Sequence, residues 1–118
     1  MHGLQKETDL AFFIEKELLQ VCVGLYQVIL NFSDEVDIKI ESLFNHKNSN
    51  ESLTKENILP GSAISLLRLL GCTVSESSNI GNGTLELKFS NGDLLHIFDS
   101  DTGYESYQIN SPDSKIIV

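Results

Sequence analysis

Basic residues are scarce in this chain. Its 118 residues contain eight Lys and Arg against seventeen Asp and Glu, which gives a formal net charge of −9. A protein that binds a nucleic-acid backbone or an anionic lipid surface needs clustered Lys and Arg, and here the eight are scattered along the sequence. The charge therefore argues against nucleic acid and membrane partners. It favours solubility, cations or a basic protein partner.

Cysteine is also scarce, and long apolar runs are absent. Cys22 and Cys72 are too few for a disulfide framework in a chain long enough to bury its own core, so we expect two buried, reduced thiols. The first residues lack the basic and apolar regions of a signal peptide, and no apolar run reaches the length of a membrane span. We therefore predict a cytoplasmic protein with a single domain over residues 1–118, of which residues 1–7 are flexible.

Apolar residues alternate with polar ones in both halves of the chain. Residues 26–32 and 36–40 follow this period-two pattern on either side of a polar turn, which predicts a hairpin. Residues 85–89 and 95–97 do the same around Asn91-Gly92, a strong hairpin signal. Because the two hairpins are 57 positions apart, we predict a pseudo-repeat of residues 8–44 and 61–100.

Helical spacing is confined to two segments. Residues 8–16 and 62–70 each carry apolar residues on one helical face. In the second segment the core-facing residues are Ala63, Ile64, Leu66, Leu67 and Leu70, and Gly71 ends the helix. Between the halves, residues 45–59 are largely polar and predict a mobile loop. Together the patterns predict an α+β domain: an antiparallel β-sheet built from two helix-plus-β-meander units, with the helices packed on one face.

Several strings resemble a family of short bacterial proteins of unknown function, across nearly the whole chain. They are Gln20-Val21-Cys22-Val23-Gly24-Leu25-Tyr26-Gln27, Ile40-Glu41-Ser42, Gly83-Thr84-Leu85, Phe89-Ser90-Asn91-Gly92 and Tyr104-Glu105-Ser106-Tyr107. The resemblance implies a bacterial origin and a small α+β fold. Some relatives look like immunity proteins of bacterial toxin systems, but the family supplies no catalytic residues to transfer.

No catalytic or metal-binding motif is complete. The acidic segment 99–105 has glycine at its fifth position, where an EF-hand calcium loop needs it at the sixth, so it predicts a β-turn. Cys22 could act as a nucleophile with His46 or His96, but its apolar, negatively charged setting disfavours a thiolate, and His96 is expected on the solvent face of its strand. His2, His46 and His96 lack zinc-ligand spacing. We therefore predict no cofactor and no catalytic residue.

Binding is the function that the sequence favours. We predict a non-enzymatic protein-binding module that engages a basic protein, with a homodimer through sheet edges also expected from exposed strands. The alternative is a small-molecule or metal-binding accessory domain. The candidate partner-binding surface consists of Glu41, Asp99, Asp101, Tyr104 and Glu105.

Overall fold

The computed structural model describes residues 10–25, 27–41, 44–47, 64–81, 83–99, 107–112 and 114–118. These residues form nine β-strands and three short 3₁₀ helices. The strands are β1 (Leu18–Val23), β2 (Val28–Phe32), β3 (Asp37–Ile40), β4 (Phe44–Lys47), β5 (Val74–Asn79), β6 (Leu85–Phe89), β7 (Leu94–Ile97), β8 (Tyr107–Ser111) and β9 (Ser114–Ile117). The 3₁₀ helices are η1 (Ala11–Phe13), η2 (Ser33–Glu35) and η3 (Ile64–Leu69).

The strands form two antiparallel sheets. One has five strands in the order β1-β2-β3-β8-β9, and the other has four in the order β4-β7-β6-β5. The predicted hairpins are confirmed as β2–β3 and β6–β7. The C-terminal segment joins the first sheet through pairing of β3 with β8.

The core lies where the apolar faces of both sheets meet. Alternate residues such as Leu30 and Ile38 in one sheet and Leu87 and Leu95 in the other are fully buried in a single cluster, as the period-two pattern requires. Phe32 of β2 stacks on Phe89 of β6 with ring centroids 6.4 Å apart. The second sheet therefore covers the first, in the place where helices were expected.

The two halves of the fold follow the sequence offset. The strands β2 and β6 are 57 positions apart, as are β3 and β7. Both β1 and β5 carry a bulge in their first residues, between Leu18 and Gln20 and between Val74 and Glu76. Each short helix packs against the first strand of the other half. The helix η1 packs against β5, and η3 packs against β1. Gene duplication itself stays a prediction.

The predicted α+β class, with helices packed on one face, is wrong. Among the described residues the longest helical element is η3, with six residues in 3₁₀ geometry. Of the predicted segment 8–16 the structure describes residues 10–16, which contain the three-residue η1 before Glu15 adopts a φ of 69° and the chain enters β1. Helices this short gain too few hydrogen bonds to offset nucleation of an α-helix, so sheet pairing determines the architecture.

The helix predicted over 62–70 differs from η3 in which face is buried. In a 3₁₀ helix residues three apart are eclipsed, so Leu66 and Leu69 share the buried face. The segment predicted as a loop over 45–59 begins inside β4, which includes residues 45–47. Residues 48–59 and the predicted flexible residues 1–7 lie outside the described part of the chain.

Candidate functional site

The predicted acidic surface is divided between the two sheets. Glu41 is exposed just after β3 in the five-stranded sheet, where its carboxylate lies 3.4 Å from the Lys39 ammonium. Asp99 is half-buried just after β7 in the four-stranded sheet. Asp101, Tyr104 and Glu105 lie outside the described residues. The assignment of these five residues to a binding surface therefore stays a prediction.

Asp99 lies in a tightly packed corner. A Cβ atom placed on Gly83 would come within 2.8 Å of the Asp99 Oδ2 atom. The buried Tyr107 hydroxyl donates a 2.7 Å hydrogen bond to the Gly83 carbonyl oxygen. Burial raises the pKa of the Tyr107 phenol, and the negative charge of Asp99 raises it further. The phenol is therefore held as a neutral donor that fixes this corner.

A second polar cluster joins Ser65, His46 and Asp93. The His46 Nε2 atom lies 2.7 Å from Asp93 Oδ2, and its Nδ1 atom lies 3.1 Å from Ser65 Oγ. The His46 and Asp93 side chains are only 4% and 9% exposed. Asp93 is itself positioned by the β6–β7 turn, where its N–H donates to the Asn91 side chain. Three elements, β4, η3 and this turn, therefore meet at one imidazole.

This cluster has the connectivity of a nucleophile, base and carboxylate relay, but its surroundings favour a structural role. A general base must reach a substrate proton, and the His46 ring is almost completely enclosed. The Asp93 carboxylate fixes the ring, and the ring holds Ser65 at the second residue of η3. The cluster therefore sets the position of η3. Sequence reasoning missed it because the three residues have no recognisable spacing.

The expected solvent exposure of His96 is wrong. His96 is 7% exposed, its Nε2 atom lies 2.7 Å from Glu86 Oε2, and its ring meets Phe98 edge-on. Cys22 lies in the other sheet, where its sulfur contacts the Asn31 amide at 3.7 Å. The structure therefore brings neither histidine to Cys22 as a base. Both cysteines are free thiols of intermediate burial, so the expectation that they are buried is wrong.

An exposed apolar stripe runs along η3 and is the most distinctive surface feature of the described residues. Ile64, Leu67 and Leu70 are spaced by three positions and are 62%, 45% and 43% exposed. Residues three apart lie above one another in a 3₁₀ helix, so Ile64, Leu67 and Leu70, the residue after the helix, lie on one side. Leu19 is 58% exposed on β1, the strand that η3 contacts. We call Ile64, Leu67 and Leu70 the η3 stripe.

Acidic residues lie near the η3 stripe. The Gly71 N–H, directly after Leu70, donates to the Leu18 carbonyl, and the preceding residue Glu17 is exposed. The η2 turn adds exposed Asp34 and Glu35, because the Ser33 N–H donates to the Glu17 carbonyl. Asp34 lies 3.3 Å from the Lys16 ammonium, and Arg68 on η3 is itself exposed, so Glu17 and Glu35 make up the acidic border. Apolar side chains bordered by carboxylates suit a partner that is both apolar and basic.

These features define a small, two-sheet antiparallel β-protein with an exposed apolar stripe. Residues 13–118 match a family of unknown function (DUF6188), and the chain belongs to that family. The family membership agrees with the resemblance to proteins of unknown function, whereas bacterial origin and immunity character stay predictions. No curated protein and no solved structure matches the chain.

Two further findings concern only the described residues. They contain no group of three or more His, Cys, Asp or Glu side chains placed to hold a metal ion. No helix among them is long and apolar enough to cross a bilayer.

Proposed function

We propose that this protein is a binding module that uses the η3 stripe to hold a basic protein partner with apolar side chains at its contact surface. The observation that carries the proposal is the alignment of Ile64, Leu67 and Leu70 on one exposed side of η3. The same short helix buries Leu66 and Leu69 completely. A six-residue element thus presents two apolar sides, of which the core uses one.

Burial of the η3 stripe against a partner supplies a substantial binding free energy. Each large apolar side chain contributes about 1.5–3 kcal/mol when it moves from water to a buried site, so three partly exposed residues can supply the centre of an interface. The His46 cluster fixes the helix that carries them. A preorganised surface loses little conformational entropy when it binds.

Charge supplies selectivity for the partner. The net charge of −9 and the exposed carboxylates at Glu17 and Glu35 favour a basic polypeptide. Neutralisation of a basic toxin, in the manner of an immunity protein, is a function that such a surface serves. The sequence resemblance described above supports this form of the proposal.

The experiment is a differential pull-down from lysate of the native organism. The full chain is compared with the double variant L67S/L70S and with the control I80S, in which an exposed isoleucine outside the stripe is changed in the same way. We expect one basic polypeptide to be retained by the wild type and by I80S and lost by L67S/L70S. Since the altered residues are exposed, all three proteins should keep similar melting temperatures.

The purified partner then gives the quantitative test. We expect L67S/L70S to weaken its affinity at least tenfold, equivalent to about 1.4 kcal/mol. Reversal of charge at Glu17 and Glu35 should lower the association rate and its dependence on salt. Equal capture by all three proteins, or affinity that does not change in L67S/L70S, would refute the η3 stripe as the contact surface.

A further inference from the structure

The outer edge of β5 is already paired with another segment over its first residue. β5 is the last strand of the four-stranded sheet and pairs with β6 on its inner side. On its outer side the Glu15 N–H donates to the Val74 carbonyl at 2.8 Å, and the Val74 N–H donates to the Lys16 carbonyl at 3.0 Å. Residues 15–17 thus begin an additional strand beside β5.

This outer pairing stops at Glu15. The positive φ of 69° at Glu15 turns the chain away from the edge. Among the described residues, 10–25 and 64–81 included, a groove of about 420 Å³ then lies along residues 75–78 of β5. Ile14 lines one part of the groove, and Ser75, Glu76, Ser77 and Ser78 line the remainder. Three of these four strand residues are serines, and small side chains let another backbone approach closely.

The backbone of Ser77 faces this groove. The Val74 N–H points outward to Lys16, whereas the Ile80 N–H points inward to Thr84, on the β6 side. The bulge between Val74 and Glu76 inserts one extra residue. Backbone N–H and C=O groups alternate in direction along a strand. Those of Glu76 therefore point towards β6, and those of Ser77 point away from β6. An outward N–H and C=O on an edge strand are a template for another strand.

We propose that this groove binds an extended peptide segment of a partner protein, which continues the outer strand along β5. Main-chain hydrogen bonds to Ser77 supply affinity in this mode of recognition, and side-chain contacts supply selectivity. Ile14, 37% exposed, offers an apolar contact. The proposal does not depend on the η3 stripe, which lies on η3 and the residue that follows it.

The charge of the groove selects a basic peptide. Glu76 lines it and Glu15 stands at its closed end, and both are exposed. Lys88 is the register partner of Glu76 on β6 and offsets one of these charges. The remaining carboxylate and the net charge of −9 favour a segment that alternates apolar and basic side chains.

The test uses a synthetic seven-residue peptide of alternating lysine and valine, with a glutamate and valine peptide as the matched control. Each is titrated into the ¹⁵N-labelled full chain while amide shifts and hydrogen exchange are recorded. We expect the lysine peptide to shift Ile14 and residues 75–79 and to slow exchange at Ser77. No shift with the lysine peptide, or equal shifts with both peptides, overturns the proposal. Shifts confined to the η3 stripe overturn it too, while they support the binding function proposed above.

Two substitutions of Ser77 distinguish the contribution of its backbone N–H to peptide affinity from that of its side chain. Ser77→Pro removes the outward N–H, which an edge strand tolerates, whereas Ser77→Ala removes only the side-chain bond to the Leu10 carbonyl at 2.7 Å. We expect S77P to weaken the lysine peptide about tenfold and S77A to leave its affinity within about twofold. A folded S77P that binds like the wild type overturns the proposal.

A charge variant decides the question even where S77P fails to fold. Glu76→Lys leaves the backbone of β5 unchanged and places a second lysine beside Lys88. We expect E76K to weaken binding of the lysine peptide and to strengthen binding of the glutamate peptide. Unchanged affinity for both peptides in E76K overturns the proposal.

Discussion

Glu17 and Thr73 form an isolated antiparallel bridge that ties β1 to the start of β5. The hydrogen bonds on its two sides are equivalent. The Glu15 N–H donates to the Val74 carbonyl, and the Gly71 N–H donates to the Leu18 carbonyl in the same way. The Glu17 and Thr73 N–H groups each donate to a serine hydroxyl. The junction is therefore locally two-fold, and both proposed binding surfaces border it.

The buried His46 cluster should dominate local stability. His46→Ala leaves the Asp93 carboxylate buried without its partner, and we expect a loss of about 3 kcal/mol in the free energy of unfolding. Ser65→Ala removes the contact with the His46 Nδ1 atom, at the edge of the cluster, and should cost about 1 kcal/mol. Urea unfolding of both variants and the wild type measures these values. Equal losses would contradict the central position of His46.

Alkaline pH should reveal the buried Tyr107 phenol. An unfolded tyrosine ionises near pH 10, and the pKa of Tyr107 is raised in the folded chain. Above about pH 10 the unfolded state therefore binds fewer protons, and the free energy of unfolding falls as pH rises. Tyr107→Phe lacks this loss, although it should cost about 1 kcal/mol at neutral pH through the missing bond to Gly83.

The check is a series of urea titrations of the wild type and Y107F from pH 7 to pH 11. Other groups that ionise in this range are common to both proteins. The difference between the two should be largest at pH 7 and should shrink above about pH 10. A difference that stays constant across the series would contradict a raised pKa at Tyr107.

Gly83 should be less replaceable than Gly92. Both have positive φ, of 73° and 91°, so alanine introduces backbone strain of about 1–2 kcal/mol at either position. At Gly83 the new Cβ also meets Asp99 at 2.8 Å, whereas nothing lies within 4 Å at Gly92. We expect G83A to have the lower melting temperature. The same melting temperature for both variants would show that Asp99 moves aside without cost.

The two sides of η3 should respond differently to alanine. Leu66 is completely buried, and Leu66→Ala should cost about 2–5 kcal/mol. Leu67 is 45% exposed, and Leu67→Ala should change the free energy of unfolding by about 0.5 kcal/mol or less. Chemical denaturation distinguishes them directly. A large loss in L67A would place Leu67 in the core and remove it from the η3 stripe.

The hairpins could be predicted from the sequence, and the helices could not. Period-two alternation around Asn91-Gly92 specifies both the strands and the turn that joins them. The apolar residues at 64, 66, 67, 69 and 70 fit a period of 3.6 as well as a period of 3.0, and only packing against the sheets selects the tighter turn. The sequence pattern therefore predicts Ile64, Leu67 and Leu70 on the buried face, whereas the structure exposes them.

The polar clusters were beyond sequence reasoning for a different reason. His46 lies 19 positions from Ser65 and 47 from Asp93, and no motif marks residues brought together by sheet topology. The β5 groove depends on a bulge and on one backbone angle at Glu15, neither of which leaves a periodic signal. The acidic composition could be predicted, but the surface that carries its function depends on the fold.

The exchange of short helices between the halves has a consequence for unfolding. Since η1 contacts β5 and η3 contacts β1, each half lacks the element that covers its own first strand. Unfolding of either half removes the short helix that packs on the first strand of the other half. We therefore expect neither half to persist alone as a partly folded intermediate. Hydrogen exchange should accordingly give similar opening free energies for central amides of β2 and β6, and the chain should lose both sheets in one cooperative transition.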